Sequence, residues 1–486
     1  MRFQKDARIV VRALERYYRH SRARARPVID QRPLAGIVSD LDLAGLAERG
    51  GLTGRRLARF LAAYLERTTR LHHPAYMAHQ VAVPHRYGSL GSLVDGFTNN
   101  AMAIYEMGPA AAAIEFFLIN WLLAKVGWSP SPYPGEGGAG ASGETPGGSP
   151  QTHGGGVLTH GGSLANLTAL IAARSRLAPQ VWETGNPPDL ALLAPAGSHY
   201  SIARAAGILG LGHQAVYSLQ TDDRGVVLPD RLPAVWRRLA EDGRRAIALV
   251  ANACSTALGL YDPLEEIASF CAEHGLWFHV DGAHGAGALL SAAERGRLRG
   301  VERADSLVWD AHKLLRAPTV CAAVLVRDAR TLDRAFQQEA SYLFHDKEQP
   351  GYDFIHRTVE CTKAGLGLRL FAVLAALGER GLERYVERQF RLTREAYGLF
   401  KALPYFELAA EPESNILCFR LQGEDELQLK VRARLLAEGS FYISATSHGG
   451  RRWLRLVLMN PDTELDDLRR LAERLRALGG ELRQAR

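Results

Sequence analysis

The chain has 486 residues, of which 47% are hydrophobic and 23% charged, a balance typical of globular proteins with a large core and more than one domain. The net charge is +7, but no zinc-finger, helix-turn-helix or RNA-recognition pattern accompanies the basic residues, so we expect no nucleic-acid partner. The five cysteines are far apart and include no CxxC pair, which argues against a disulfide framework and a metal site.

Residues 1–125 have the periodicity of helices, and in 52–71 the apolar residues recur on one helix face. We expect this N-terminal helical segment to lie against another domain or a second subunit. The most apolar stretch, 110–128, contains charged side chains, which predicts a buried helix and no membrane span. The first residues have no apolar signal core, which predicts a cytoplasmic protein.

A run dominated by glycine, proline and serine follows at 130–156. Such a composition does not bury enough apolar surface to order itself. The run predicts a mobile loop between a helix and the next strand.

Residues 126–385 alternate short apolar runs with helical patterns, and we assign them to one large domain. This alternation predicts an α/β fold with a mainly parallel central sheet and helices on both faces. The predicted strands are 156–162, 189–195, 215–220, 246–252, 276–282, 305–310 and 319–328. The last segment, 386–486, combines hairpin-like strands with amphipathic helices, which predicts a small C-terminal α+β domain.

Polar groups follow several of the predicted strands. Gly161, Gly162 and Ser163 open a helix, where backbone N–H groups and the helix dipole hold anions, although a serine N-cap is the simpler explanation. His199 follows the next strand, and a lone histidine is more often structural than catalytic. Asp281 ends a later strand, where it either caps a helix or pairs with a cation.

Lys313 follows the strand 305–310 and is flanked by Asp310 and His312. A lysine in this setting extends to solvent, pairs with a carboxylate or serves as a chemical handle. Ligands of open α/β sheets bind beyond the carboxyl ends of the strands, where all these groups are expected to meet. One ligand, pyridoxal 5′-phosphate, uses an anion cradle, a carboxylate and a lysine for its phosphate, ring nitrogen and aldehyde.

Four segments resemble, in order and spacing, those of the group II pyridoxal-phosphate-dependent amino-acid decarboxylases of fold type I. The segments are THGGSLANLTAL, SHYSIARAAGILG, HVDGAHGAG and DAHKLL. They are similar to the family's phosphate-binding, stacking-histidine, ring-nitrogen and Schiff-base segments, in that order. The resemblance covers nearly the whole chain.

The resemblance implies a role for single residues. Lys313 would form the Schiff base with pyridoxal phosphate, Asp281 would pair with the ring nitrogen, and His199 would stack on the ring. The other cofactor-binding residues would be Gly161, Gly162, Ser163 and His312 at the phosphate, Ala283 on the second ring face and Thr256 beside the cofactor. Tyr76 and His79 lie in a segment similar to the family's substrate-side loop.

Three positions depart from the family pattern or leave a choice open. Leu164 stands where the family often has glutamate, and Lys363 where many relatives have arginine near the substrate end. The family's mobile loop corresponds to 344–357, whose tyrosine, Tyr352, is either the proton donor to the carbanion or an ordinary exposed aromatic. If Tyr352 is not the donor, Lys313 or His199 takes that role.

The resemblance implies decarboxylation of an L-amino acid by a homodimer. The same groups also support transamination, aldol cleavage or decarboxylation coupled to oxidative deamination, and a non-catalytic homologue is a further alternative. The sequence leaves the amino acid open. Aromatic side chains near Tyr76 allow an aromatic substrate, the basic charge balance allows an acidic one, and Glu360 allows a basic one.

Overall fold

The computed structural model describes residues 2–134, 152–336 and 351–484, so most of the run 130–156 and half of the loop 344–357 lie outside the described residues. The described helices are α1 (Arg2–Arg22), α2 (Leu34–Asp40), α3 (Leu43–Arg49), α4 (Gly54–Arg67), α5 (Arg86–Thr98), α6 (Pro109–Val126), α7 (Gly162–Leu177), α8 (Val181–Thr184), α9 (Tyr200–Ile208), α10 (Leu232–Glu241), α11 (Leu264–Glu273), α12 (Arg330–Ala335), α13 (Gly367–Lys401), α14 (Asp425–Glu438) and α15 (Leu465–Gln484). The strands are β1 (Tyr76–Met77), β2 (Gly155–Thr159), β3 (Leu190–Pro195), β4 (Val216–Leu219), β5 (Arg245–Asn252), β6 (Phe278–Asp281), β7 (Ser306–Asp310), β8 (Ala322–Val326), β9 (Phe406–Leu408), β10 (Ile416–Leu421), β11 (Tyr442–His448) and β12 (Arg451–Val457).

The compact unit Pro84–Arg388 is built on a sheet of seven described strands in the order β2-β8-β7-β6-β5-β3-β4. Strands β4, β3, β5, β6 and β7 run parallel, and β8 is antiparallel to β7 and β2. Every residue of β3, β6 and β7 is buried, as expected for strands covered on both faces. The predicted fold class is confirmed, and each predicted strand corresponds to an observed one.

The register of this sheet brings the ends of four strands to one edge. Asn252 at the end of β5 pairs with Asp281 at the end of β6. On the other side, Thr159 at the end of β2 and Asp310 at the end of β7 both pair with Ala322 of β8. The loops that follow these strands, and the first turn of α7, therefore belong to the same edge of the sheet.

Helix α6 starts with Pro109 and ends before Gly127. Gly127 has a φ of 92°, a left-handed conformation that often ends a helix and that glycine adopts without strain. It is the one described helix that is long and apolar enough to cross a membrane, and 44% of it is buried within the protein. Its buried residues include Glu115, Phe116 and Leu118. The helix predicted to be buried is thus partly buried core.

The second compact unit joins Met1–Val83 to Gln389–Arg486. Its sheet has the order β1-β11-β12-β10-β9 among the described strands, and only β1 and β11 are parallel. Helix α1 packs on α4, and α14 and α15 pack on each other and on the sheet. Residues 84–125 belong to the other unit, whereas the sequence grouped them with the first helices; the division into three domains stays a prediction.

Candidate active site

Lys313 lies in the turn after β7, next to the fully buried Leu314 and Leu315. Its side chain is 17% exposed, and its Nζ is 2.9 Å from Oδ2 of Asp310. The lysine is thus paired with a carboxylate one turn earlier in the chain. Asp310 was noted in the sequence only as a neighbour of Lys313, although the spacing of three residues is the signal that would have indicated the pair.

Asp281 is buried at the end of β6. Its Oδ2 accepts a hydrogen bond from Nδ2 of Asn166 at 3.0 Å, and its Oδ1 accepts one from the backbone N–H of Ala283 at 3.2 Å. These donors compensate for burial of the carboxylate and fix its orientation. Asn166, in α7, is a site residue that sequence reasoning missed, because only the packing of α7 on the sheet brings it to Asp281.

His199 is the residue before α9, and its Nδ1 accepts a hydrogen bond from the backbone N–H of Ser201 at 3.2 Å. Burial is the largest influence on His199 and lowers its pKa; the charge of Asp281 raises that pKa and the charge of Lys313 lowers it. Both charges are therefore near enough to influence the imidazole, while the role of these three residues in one catalytic site stays a prediction.

The segment Gly161–Ser163, for which the sequence predicts an anion cradle, lies at the start of α7. Gly161 has a φ of 102°, a backbone conformation that residues other than glycine rarely adopt. A Cβ on Gly162 would lie 2.7 Å from Oδ1 of Asp310, so only glycine fits against this carboxylate. A sixteen-residue helix that begins in a side-chain-free cradle is suited to a phosphate group.

His312 and Thr256 border the same edge. His312 is buried, its Nδ1 is 2.8 Å from the backbone oxygen of Cys321, and its Nε2 is 3.7 Å from Asp310. The same nitrogen also faces the backbone N–H of Cys321 at 3.4 Å. Thr256 lies half-buried in the turn after β5. Whether either residue contacts a cofactor stays a prediction.

Tyr352 is packed among aromatic rings. Its ring centroid is 4.8 Å from that of Phe116 and 4.9 Å from that of Phe354, and the guanidinium of Arg357 lies over its face at 4.4 Å. Burial raises the pKa of Tyr352 to about 12. These contacts exclude an ordinary exposed aromatic in this arrangement, while the role of proton donor stays a prediction.

Tyr76 and His79 belong to the unit that contains both chain ends. Tyr76 is buried in β1, and Nε2 of His79 is 3.0 Å from the hydroxyl of Tyr442. Burial lowers the pKa of His79, and the positive charges of Arg455 and Arg432 lower it further. Their part in substrate binding stays a prediction.

The groups at this sheet edge fit pyridoxal phosphate. Gly162 leaves space where a Cβ would collide with Asp310. Lys313 supplies an amine, which lies beside the buried carboxylate of Asp310. Among residues 2–134, 152–336 and 351–484, no group of three His, Cys, Asp or Glu side chains is arranged to hold a metal ion. The groups that would serve an aldehyde cofactor with a phosphate and a basic ring nitrogen are the amine of Lys313, the glycines of the cradle and the carboxylate of Asp281.

Residues 63–422 match the model of the pyridoxal-dependent decarboxylase conserved domain. Cysteine sulfinic acid decarboxylase of Mus musculus is 32% identical over 413 residues, which cover 81% of this chain and 79% of that protein. Acidic amino acid decarboxylase GADL1 of Mus musculus is 29% identical over 436 residues, covering 85% and 75%.

Solved structures show the same fold. The crystal structure of mouse CSAD superposes with a TM-score of 0.85 at 27% identity, covering 97% of this chain and 98% of that one. The crystal structure of Oryza sativa TDC with PLP and tryptamine has a TM-score of 0.84 at 21% identity, covering 99% and 98%. At that identity the second similarity is one of fold alone.

Proposed function

Since this chain belongs to the pyridoxal-dependent decarboxylase family, we propose that Lys313, Asp281 and His199 carry its reaction. The protein is a pyridoxal-phosphate-dependent amino-acid decarboxylase, which releases carbon dioxide and leaves the corresponding amine. This assignment is supported by one observation: the amine of Lys313, the buried carboxylate of Asp281 and the imidazole of His199 all lie at the same edge of the sheet.

Lys313 is proposed to bind the cofactor covalently through Nζ. When bound, pyridoxal phosphate accepts the electron pair of the bond to the departing carboxylate. Asp281 would hold a proton on the ring nitrogen, because a buried carboxylate with fixed donors stabilises a neighbouring cation. Asp310, whose Oδ2 is 2.9 Å from Nζ, would orient the lysine side chain towards the site.

Gly161, Gly162 and Ser163 are proposed to bind the phosphate through backbone N–H groups, with His312 beside them. Ala283 and His199 would lie on the two faces of the ring, and Thr256 at its side. Tyr352 or His199 would supply the proton to the product carbon. We propose the cytoplasm as the compartment.

An acidic amino acid is the proposed substrate class. Two relatives that cover most of this chain are named for acidic substrates, cysteine sulfinic acid and acidic amino acids. Arg455 and Arg432 both lower the pKa of His79, so the predicted substrate-side residue lies in a positive field that favours an anionic ligand.

The enzyme is also proposed to be a homodimer. Helix α5 exposes Tyr87, Leu90, Leu93, Val94 and Phe97, each at least half accessible. Their spacing places them along one side of the helix, which makes a continuous apolar stripe. Contiguous exposed apolar patches mark interaction surfaces, and a second copy is the partner that the family resemblance implies.

The test is release of carbon dioxide from L-aspartate, L-glutamate, L-cysteine sulfinate, L-tryptophan and L-2,4-diaminobutyrate with pyridoxal phosphate added. We expect release from an acidic substrate, stoichiometric amine, and borohydride trapping of the cofactor on Lys313. The variant Lys313→Ala should lose trapping and turnover, whereas Lys430→Ala, at an exposed lysine of α14, should keep both. Normal decarboxylation by Lys313→Ala would contradict the assignment; a trapped cofactor without release would indicate another carbanion reaction.

A further inference from the structure

A buried chain of hydrogen bonds leads from the base of the sheet towards Asp281. Nε1 of Trp277 is 2.8 Å from Oγ of Ser306, which is 2.8 Å from Nδ1 of His279. Nε2 of His279 is 3.0 Å from Oδ1 of Asn166. These four residues are at most 2% exposed, so every polar atom among them needs a protein partner.

The direction of each bond is set by the two ends of the chain, because the indole N–H of Trp277 can only donate and the carboxylate of Asp281 can only accept. Ser306 accepts that hydrogen and gives its own to Nδ1 of His279. The imidazole then holds its proton on Nε2 and donates it to Oδ1 of Asn166. Burial lowers the pKa of His279 to about 4, in agreement with a neutral ring.

At Asn166 the chain divides into two arms. Because Oδ1 accepts from His279, the amide nitrogen has two hydrogens to donate. One goes to Oδ2 of Asp281 at 3.0 Å and the other to Oγ of Ser201 at 2.9 Å. The carboxylate of Asp281 accepts only, so it must face the amide nitrogen of Asn166. In the opposite orientation the amide oxygen would face the carboxylate and the amide nitrogen would face His279, so that orientation is excluded.

The second arm ends at His199. Oγ of Ser201, which accepts from Asn166, is 2.8 Å from Nδ1 of His199, and the backbone N–H of Ser201 donates to the same nitrogen at 3.2 Å. A nitrogen that accepts from a backbone N–H carries no proton of its own. The proton of neutral His199 is therefore on Nε2.

We propose that Asn166 is a positioning residue that couples Asp281 to His199: through the Ser201 hydroxyl it supports the tautomer of His199 that the backbone N–H of Ser201 selects, with the proton on Nε2. The inference rests on the proposed function for its relevance to the reaction, because there Asp281 and His199 contact the cofactor. Hydrogen bonds aligned in one direction polarise one another, so the chain strengthens both arms. His199 then offers a donor, and no acceptor, to a ligand atom next to Nε2.

The test uses the full-length protein labelled with 15N-histidine, with and without pyridoxal phosphate, and nitrogen spectra that distinguish protonated from unprotonated ring nitrogens. The chain has 16 histidines, so His199→Gln and His279→Gln variants assign the two signals. We expect an unprotonated Nδ1 and a protonated Nε2 on both rings in the wild-type protein. A protonated Nδ1 on neutral His199 would overturn the proposal.

The variant Asn166→Leu, which keeps the side-chain size, should shift both histidine signals, because it removes the acceptor of Nε2 of His279 and the donor to the Ser201 hydroxyl that faces Nδ1 of His199. Ser201→Ala cuts one arm only and should change His199 while leaving His279 as it is. Thr168→Val removes a buried hydroxyl that bonds within α7 and should change neither.

Unchanged signals in Asn166→Leu, or in Ser201→Ala if the first variant does not fold, would overturn the coupling. Borohydride trapping at Lys313 in the same samples tests the proposed function separately. Loss of trapping in the wild-type protein would reject that function without altering the tautomer result.

Discussion

Glu115 and Lys363 form an ion pair in which neither side chain is exposed to solvent. Nζ of Lys363 is 2.5 Å from Oε1 and 2.6 Å from Oε2 of Glu115, and Oε1 also accepts the backbone N–H of Leu158 at 2.8 Å. The pair joins α6 and β2 to the segment that follows Tyr352. The lysine that stands in place of the family's arginine is thus bound to a buried carboxylate.

Removal of one partner should destabilise the enzyme strongly. We expect Glu115→Gln to lower the free energy of unfolding by about 3–5 kcal/mol, because the ammonium of Lys363 would stay buried without a counter-charge. Urea denaturation followed by circular dichroism measures the change. The double variant Glu115→Leu with Lys363→Met should be less damaging than the single one, since it leaves no buried charge.

The exposed pair Lys125–Glu379 is the matched control, because it joins α6 to α13 at 2.8 Å near solvent. Glu379→Gln should cost less than about 1 kcal/mol. Equal losses in the buried and the exposed pair would contradict the argument.

The cradle should not tolerate a methyl group at Gly162. In Gly162→Ala the new Cβ would meet both carboxylate oxygens of Asp310 within 3 Å, so we expect at least tenfold weaker binding of pyridoxal phosphate. Absorbance titration of the apoenzyme measures the affinity. Gly207→Ala in α9, where the new Cβ meets nothing within 4 Å, should leave the affinity unchanged and stabilise the helix slightly. Wild-type affinity in Gly162→Ala would show that the cradle does not hold the cofactor.

His279 should make the stability of the enzyme dependent on pH. Its pKa is about 4 in the folded chain and 6.5 as the ordinary value, so the unfolded state binds more protons between these limits. Stability from this residue is therefore lost as the pH falls from 6.5 to 4, by roughly 3 kcal/mol in total.

Urea unfolding at pH 7.5, 6.0 and 5.0 tests this by comparison of the wild-type protein with His279→Gln. We expect a smaller loss of stability on acidification in the variant, although it is less stable at pH 7.5. Burial raises the pKa of Asp262 to about 6, so this residue adds stability as the pH falls. Its contribution is the same in the wild-type protein and in His279→Gln and does not affect their comparison. His213→Gln, at an exposed position, should retain the wild-type slope. An unchanged slope in His279→Gln would contradict the prediction.

The apolar stripe of α5 should hold the dimer together. We expect the double variant Leu93→Glu with Phe97→Glu to sediment as a monomer and to lose most of its activity, because charged side chains would have to be desolvated at the contact. Leu429→Glu, at a partly exposed leucine of α14, should leave the sedimentation coefficient unchanged. A wild-type monomer with full activity would exclude the dimer.

The local pattern of apolar residues was enough to predict the strands of the seven-stranded sheet and the residues that follow them. Buried apolar runs such as 305–310 and 246–252 are recognisable because a strand covered on both faces needs a continuous apolar sequence. The residues directly after these runs, among them Asp281 and Lys313, could be assigned to one sheet edge because parallel strands end on the same side.

The amino-acid sequence by itself therefore determined the α/β class, the sheet edge at which the candidate residues lie and the candidate lysine. Only the tertiary structure decided the partners of these groups: Asn166 for Asp281, and Glu115 for Lys363. Those contacts join residues more than a hundred positions apart, and no local periodicity reports them. They exist because a buried charge or amide must find a partner within the folded protein, and the packing of helices on the sheet selects which one is near.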